Sequence, residues 1–467
     1  NYGTLSYVIE SPHEKGVIWT GSDDGLVYLT RDGGANWQNV TPTGLQECLI
    51  NAIEISPFDK GTAYIATTRY KFNDHTPGIY KTTDYGKTWT RISNGIPVGA
   101  FTRVVREDDT RKDMLFAGTE SGLYVSWDGG KAWTSFQLNL PITPITDLRI
   151  HQGNLIAATS GRSFWILDDL SLLRQYKKEI SSFSILQPSP AYLVNGSSEL
   201  DKTDTSFTGL HKFRGVNPAT GVVLYYTLPA LKDDEILKME IKDAEGNLVR
   251  SFSSKADSTY KKYDGGPNDE PLLSKSKGLN RFVWDMRYST MPGVPDVYIE
   301  SSYRGHKASP GKYAVSILIN GKKIMADATI LSNPLYEIDA PTYKEYHTLM
   351  NQMEQEVTKM HQIVNSLNAK RIQLEGILNT LSAEEKYTSL KKEGDVLVKK
   401  MKVWDEDMVQ RRSKAYDDVE NFENKFTANY MFLINQTESD LPRVNQPNVD
   451  RLKELNITWA TLKAKAD

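Results

Sequence analysis

The first third of the chain alternates short apolar runs with polar turns and never sustains a helical period. "GVIWTGSDDGLVYLT" (16–30), "TAYIATTRYKFNDHTPGIYKT" (62–82) and "MLFAGTESGLYVS" (114–126) each read as two β-strands around a polar turn. Behind each pair stands one phrase, Ser/Thr-x-Asp-x-Gly-x-x-Trp. Its fixed members are Asp32, Gly34 and Trp37, then Asp84, Gly86 and Trp89, then Asp128, Gly130 and Trp133, at steps of 52 and 44 residues. Ahead of the pairs, "IESPHEKG" (9–16) is echoed by "ISPFDKG" (55–61). A fourth unit, "NLIAATSGRSFWILDDLSLLRQ" (154–175), keeps the strands and the turn but loses the Gly and Trp of the phrase.

A period of about 40–50 residues with four short strands per unit predicts a β-propeller. In the repeated phrase, Asp accepts hydrogen bonds from nearby backbone N–H groups, Gly permits positive φ, and Trp packs the turn onto its own unit. Asp32, Asp84 and Asp128 therefore read as turn-holding residues with no catalytic part. The chain opens inside a predicted strand. The expectation is a partial propeller over 1–183, with about four blades. The other blades would lie N-terminal or on another polypeptide.

After about residue 184 the repeat stops and the alternation becomes longer. "GVVLYYTL" (221–228), "ILKMEIKDAEGNLVRSF" (236–252), "NRFVWDMRY" (280–288) and "GKYAVSILINGKKIMADATIL" (311–331) read as strands and hairpins, the last turning at Asn320-Gly321. They predict a fibronectin- or immunoglobulin-like β-sandwich over 184–336. The polar loop between them contains "YDGGPNDE" (263–270), which reads as a solvated loop, with a calcium loop as the weaker reading. From Tyr346 the period changes to that of a helix. Met350, Met353, Val357, Met360, Val364, Leu367, Leu374, Leu378 and Leu381 form an apolar stripe interrupted by Arg371. Pro341-Thr342 marks its start. Further helices over 383–425 and 448–465, the last capped by Asn448, complete a predicted three-helix bundle in an α-helical region, 337–467.

Composition narrows the classes. The net charge of −3 over 467 residues gives no electrostatic case for nucleic acid. No apolar run is long enough for a transmembrane segment. The single cysteine, Cys48, excludes an intrachain disulfide. The histidines are scattered, with no metal-ligand spacing, so neither a metal nor a cofactor is expected.

The repeated phrase resembles the Asp-box, or BNR repeat, of sialidases, xyloglucanase-type glycosidases and the sortilin propeller. "SGRSFWILDDLSLL" (160–173), "FRGVNPATGVVLYYTL" (213–228) and "GLNRFVWDMRY" (278–288) resemble recurring phrases of exported bacterial proteins with sortilin-like propellers. Such proteins are often labelled glycosyl hydrolase by analogy. The resemblance implies an exported protein at the bacterial surface, in the periplasm or outside the cell, with other envelope or surface proteins as partners. A fold does not carry its activity with it.

Glycoside hydrolysis needs two opposed carboxylates, one of them protonated. The candidates stand at the turns between paired strands: Asp23, Asp24, Asp74 and Glu120. No catalytic set assembles from them, nor do the three Arg and the Tyr–Glu pair of a sialidase. The enlarged turn of the second unit carries Arg69, Tyr70, Lys71, Asp74 and His75 and reads as a binding element. Arg162 of "SGRSFW" is a further binding candidate, with a structural hydrogen bond as its simpler role. The first expectation is thus a non-catalytic binding or assembly module. A glycoside hydrolase or lyase on polysaccharide and a sortilin-like peptide receptor are the alternatives.

Overall fold

The computed structural model describes residues 3–177, 182–201, 215–381, 385–439 and 441–467. Phe213 and Arg214, in the second of the three family-like phrases, lie outside the described residues, as does the 383–384 start of the predicted second helix. The chain is mostly β, built from many small antiparallel sheets, with its long helices gathered toward the C-terminus. It divides into two compact units, Asn1–Lys178 and Glu179–Asp467.

The first unit is a row of four meanders. Strands β1 (Leu5–Glu10), β2 (Ile18–Ser22), β3 (Val27–Thr30) and β4 (Gln38–Asn39) form the first sheet in chain order. β5 (Leu49–Ile55), β6 (Ala63–Arg69), β7 (Asp74–Thr82) and β8 (Thr90–Arg91) form the second. β9 (Thr102–Glu107), β10 (Leu115–Thr119), β11 (Gly122–Ser126) and β12 (Thr134–Ser135) form the third. The fourth has β13 (Ile145–His151), β14 (Asn154–Thr159) and β15 (Phe164–Leu167), followed by the short helix α1 (Ser171–Arg174). The register repeats. Tyr7, Ala52, Val104 and Asp147 pair with Gly21, Ala66, Gly118 and Ala158, and each first strand carries a bulge beside that pair.

The repeated phrase closes the turn between third and fourth strands. Thr30, Thr82 and Ser126 each donate through the hydroxyl to Oδ1 of the Asp two residues on, at 2.8 Å. The same hydroxyls accept from the backbone N–H of Gly34, Gly86 and Gly130 at 2.9–3.0 Å. Oδ1 of each Asp accepts from the N–H four residues on, at 2.9–3.0 Å. The Gly residues lie at φ +98°, +79° and +88°. The indoles of Trp89 and Trp133 reach across the sheet boundary. Trp89 Nε1 donates to the Val40 carbonyl of the first sheet at 2.8 Å, and Trp133 Nε1 to the Ile92 carbonyl behind the second at 2.5 Å. The turn is thus a clasp to the preceding sheet.

The second unit holds two sheets on one core. Its strands are β16 (Ser184–Ile185), β17 (Ala191–Tyr192), β18 (Val222–Leu228), β19 (Lys238–Lys242), β20 (Leu248–Ser253), β21 (Gly278–Trp284), β22 (Gly311–Ile319) and β23 (Lys322–Leu331). The orders are β16-β18-β21 and β17-β23-β22-β19-β20. Leu224, Phe282, Trp284 and Met286 from one side meet Met239, Ile241, Val315 and Ile317 from the other.

Among the described residues four α-helices follow: α2 (Ala340–Thr380), α3 (Thr388–Met408), α4 (Phe426–Thr437) and α5 (Gln446–Ala466). Asp339 caps α2 by accepting from Thr342 N at 3.0 Å, beside the expected Pro341. The expectation of three helices fails where one was drawn over 383–425. That stretch breaks after Met408, and a separate helix, α4, begins at Phe426, one residue past the end drawn for it. Its apolar face, Tyr430, Met431 and Ile434, is too short a stripe to register as periodic. The cap of α5 is Asn445, which accepts from Asn448 N at 3.1 Å, not Asn448 itself. The helices share their core with Met291, Val294, Val297, Ile299 and Tyr303 from the loop after β21, so helices and sheets form one unit.

Candidate binding surface

A meander places its hairpin tip and its Asp turn at opposite ends. The β2–β3, β6–β7, β10–β11 and β14–β15 tips therefore gather away from Asp32, Asp84 and Asp128. This arrangement sorts the carboxylates into two groups that cannot share a site.

The β6–β7 tip carries most of the predicted binding residues. Arg69 pairs with Asp74 at 2.6 Å and donates to the Glu47 carbonyl at 3.0 Å. Asp74 also accepts from Thr76 N at 3.0 Å, and these hydrogen bonds, with Arg69, hold its carboxyl below the usual range. Tyr70 stacks on Phe101, with centroids 5.6 Å apart, and His75 tilts against the same ring at 5.7 Å. Arg103 lies over Phe101 and pairs with Glu120 at 2.5 Å, so the tips of the second and third sheets form one surface. Lys71 lies near Asp23 of the first tip and helps lower its pKa, after the Gly3 and Thr4 N–H groups that bond it at 3.0 and 2.9 Å. Asp24 accepts from the Ser22 hydroxyl. Tyr70 and Phe72 keep nearly half their surface exposed.

The structure thus brings Arg69, Lys71, Asp74 and His75 together with Tyr70 and Phe72. Arg162 stands on the tip of the fourth sheet. Its guanidinium donates to the Gly161 carbonyl at 3.1 Å, and its own carbonyl accepts from Trp165 Nε1 at 2.8 Å.

Sequence reading missed a charged node inside the row. Arg106 of β9 reaches every other first strand. It donates to Tyr7 Oη of β1 at 3.1 Å, lies 3.5 Å from Glu54 of β5, and bonds Asp147 and the Leu148 carbonyl of β13 at 2.8 Å each. Burial pushes Glu54 up to about 7 despite Arg106. The available signal was a charge recurring at one register position, Glu54, Arg106 and Arg149, where the first strand has Ile9. Alternation alone cannot tell such a charge from a solvent-facing one.

The second unit holds another missed group. Glu354 of α2 accepts from His306 N at 2.7 Å and faces its Nδ1 at 2.9 Å, while His306 Nε2 faces His347 Nδ1 at 2.7 Å. Tyr288 stacks on the His306 ring at 4.5 Å. Burial, then His306, pushes His347 down to about 4. Nearby, Arg287, Arg304, Lys307 and Glu438 line a cavity of about 360 Å³. Glu438 pairs with Arg287 at 2.6 Å. No spacing in the sequence announces these contacts, which join a loop to a helix 41 or more residues away. Among the described residues, no group of three His, Cys, Asp or Glu side chains is placed to share a metal ion. No helix among them is long and apolar enough to cross a membrane.

No family model matches the chain, and no curated protein does. Among solved structures, the chain is similar to YCF48 bound to D1 peptide, at 18% identity and a TM-score of 0.27, over 36% of this chain and 58% of that one. It is similar to YCF48 from Cyanidioschyzon merolae at 19% and 0.28, over 49% and 67%. The GH74 xyloglucanase from Xanthomonas campestris follows at 15% and 0.30, over 70% and 45%. The chain therefore spans just over half of the first structure's length and under half of the xyloglucanase's.

Proposed function

We propose that the chain is a non-catalytic binding or assembly module of an exported, cell-surface β-propeller protein of the Asp-box, sortilin-like kind. In this reading its first four sheets are blades and the two sheets of the second unit form a sandwich. The observation that carries it is the β6–β7 tip. Two aromatic side chains, Tyr70 and Phe72, are held half-exposed on a base of ion pairs and ring stacking. Rigid exposed aromatics framed by charge suit a protein segment as ligand. The four candidate carboxylates at these tips are engaged: Asp23 by backbone N–H groups, Asp24 by the Ser22 hydroxyl, Asp74 by Arg69 and Thr76, Glu120 by Arg103. Asp23 and Asp74 have their pKa values lowered, the reverse of what a general acid needs.

The test is affinity capture from the envelope of the source cell, with wild type beside Tyr70→Ala/Phe72→Ala. A companion protein that returns reproducibly with wild type and is lost at least tenfold with the variant is expected. No reproducible companion, or turnover of any glycan in a polysaccharide panel, overturns the reading.

A further inference from the structure

Each interior boundary in the row of four sheets is built the same way. The residue before the bulge of one first strand seats on the second strand of the preceding sheet. Ile50 seats on Gly21, where an added Cβ would lie 2.5 Å from its Cγ2, and Ile145 seats on Gly118, where the distance would be 2.7 Å. Thr102 seats on the second sheet, whose equivalent position is Ala66; its hydroxyl lies 2.9 Å from the Gly78 carbonyl oxygen. Ile50, Thr102 and Ile145 are fully buried, as are Ile53, Val105 and Leu148 three residues on. On the receiving side, Val27, Ile79 and Leu123 are equally covered. The bulge residue adds a hydrogen bond across the boundary: Ser6 Oγ lies 2.7 Å from the Ile50 carbonyl, and Asn51 Nδ2 lies 3.2 Å from the Thr102 carbonyl.

The outer faces of the first and fourth sheets present these same register positions uncovered. Leu5 and Val8, equivalent to Ile50 and Ile53, are 61% and 58% exposed. Trp37, equivalent to the clasping Trp89 and Trp133, is 44% exposed. On the fourth sheet, Phe164 and Ile166, equivalent to Leu123 and Val125, are 77% and 60% exposed. These are large apolar side chains at positions that are otherwise buried, or partly buried in the case of Trp89, and they continue an interface the chain builds three times.

We propose that both faces are docking sites for further four-stranded sheets of the same Asp–Gly–Trp repeat, carried on polypeptide outside these 467 residues. The fit argues against a second copy. Inside the row, Gly receives Ile and Ala receives the smaller Thr, because a methyl at the receiving position removes the room for a branched four-carbon side chain. The receiver on the fourth sheet is Ala158, and the side chain the first sheet offers is Leu5. They do not match. The sheet covering Leu5 has Gly on its second strand and a main-chain carbonyl for the Trp37 indole. The sheet covering Ala158 offers a Thr-sized residue, with its carbonyl near Thr146.

The test uses the full chain with Trp37→Cys or Phe164→Cys, each labelled with benzophenone maleimide, so that an aromatic label stands where an aromatic side chain stood. The native thiol, Cys48, is fully buried with its pKa pushed up to about 11, and does not compete. After irradiation in an extract of the source cell, the adduct peptides are sequenced by mass spectrometry. Peptides outside this chain that belong to a Ser/Thr-x-Asp-x-Gly-x-x-Trp repeat are expected. Adding Val8→Asp should remove the Trp37→Cys adduct at least tenfold, and Tyr70→Ala should leave it intact, which separates this result from the hairpin-tip reading. Adducts to this chain's own sequence, to peptides without the repeat, or to nothing at all overturn the proposal. So does a purified dimer by light scattering that Val8→Asp dissociates.

Discussion

The first and third sheets carry the same turn and differ in what stands beside it. In both, a hydroxyl, a carboxylate and a glycine N–H close one loop with nearly the same distances. Trp133 is nonetheless buried against Ile92 and Trp37 lies half-open to solvent. The turn is a local structure, complete within eight residues. The rest of the indole's burial is supplied by a neighbour, since Trp37 without one stays 44% exposed and Trp133 with one is 4% exposed. A repeat of this kind cannot bury its own face, so its stability resides at the boundaries between units.

The largest test of that comparison is removal of the indole. Trp133→Ala should cost about 3–5 kcal/mol, the range for a buried aromatic, read from the urea unfolding midpoint by circular dichroism. Trp37→Ala, whose indole is only half covered, should cost less, about 1–2 kcal/mol. Equal costs would mean that the turn itself, and not the neighbouring sheet, sets the indole's worth.

Glycine sharpens the same point. Gly34→Ala and Gly130→Ala both place a Cβ at positive φ, a strain of about 1–2 kcal/mol. At Gly130 the new atom also meets Ile92 Cδ1 at 2.5 Å, whereas at Gly34 it meets only its own Trp37 at 3.8 Å. Gly130→Ala should therefore be worse by a further 1–3 kcal/mol or so of overpacking.

Charge separates the boundary from the turn in the same manner. Glu54 sits where four first strands meet, and its pKa is raised to about 7. A raised carboxylate favours the folded protein only while protonated. Wild-type stability should thus fall as pH rises from about 4.3, the unfolded value, to about 7, and Glu54→Gln should flatten that slope. Asp84 is the opposite case. Its carboxylate lies at the surface turn, and hydrogen bonds from Thr88, then Thr82 and Lys87, lower its pKa. Its contribution is present above about 4 and is lost as pH falls below that value, so Asp84→Asn should only soften the acid limb. This is the smallest effect expected, and a pH titration of the unfolding midpoint reads both.

The hairpin tip was legible because six charged or aromatic residues stand together in one enlarged turn, Arg69 to His75. Its partner ring, Phe101, was not legible, since it lies 26 residues on and belongs to another sheet. The Arg106 node was hidden for the same reason. The break of the predicted second helix at Met408 escaped because α4 has only about three turns of apolar face.

The sequence by itself determined the repeat, its strand pairs, its Asp turns and the switch from period two to a helical period after Tyr346. Those are properties of neighbours along the chain: bond geometry, turn chemistry and side-chain alternation within a few residues. The tertiary structure alone decided which identical positions are covered and which are left open. It also decided that Trp clasps the preceding sheet, that Arg106 ties four strands, and that Leu5 and Phe164 face outward. Burial is a relation between segments distant in sequence, and a side chain has no record of what will be packed against it.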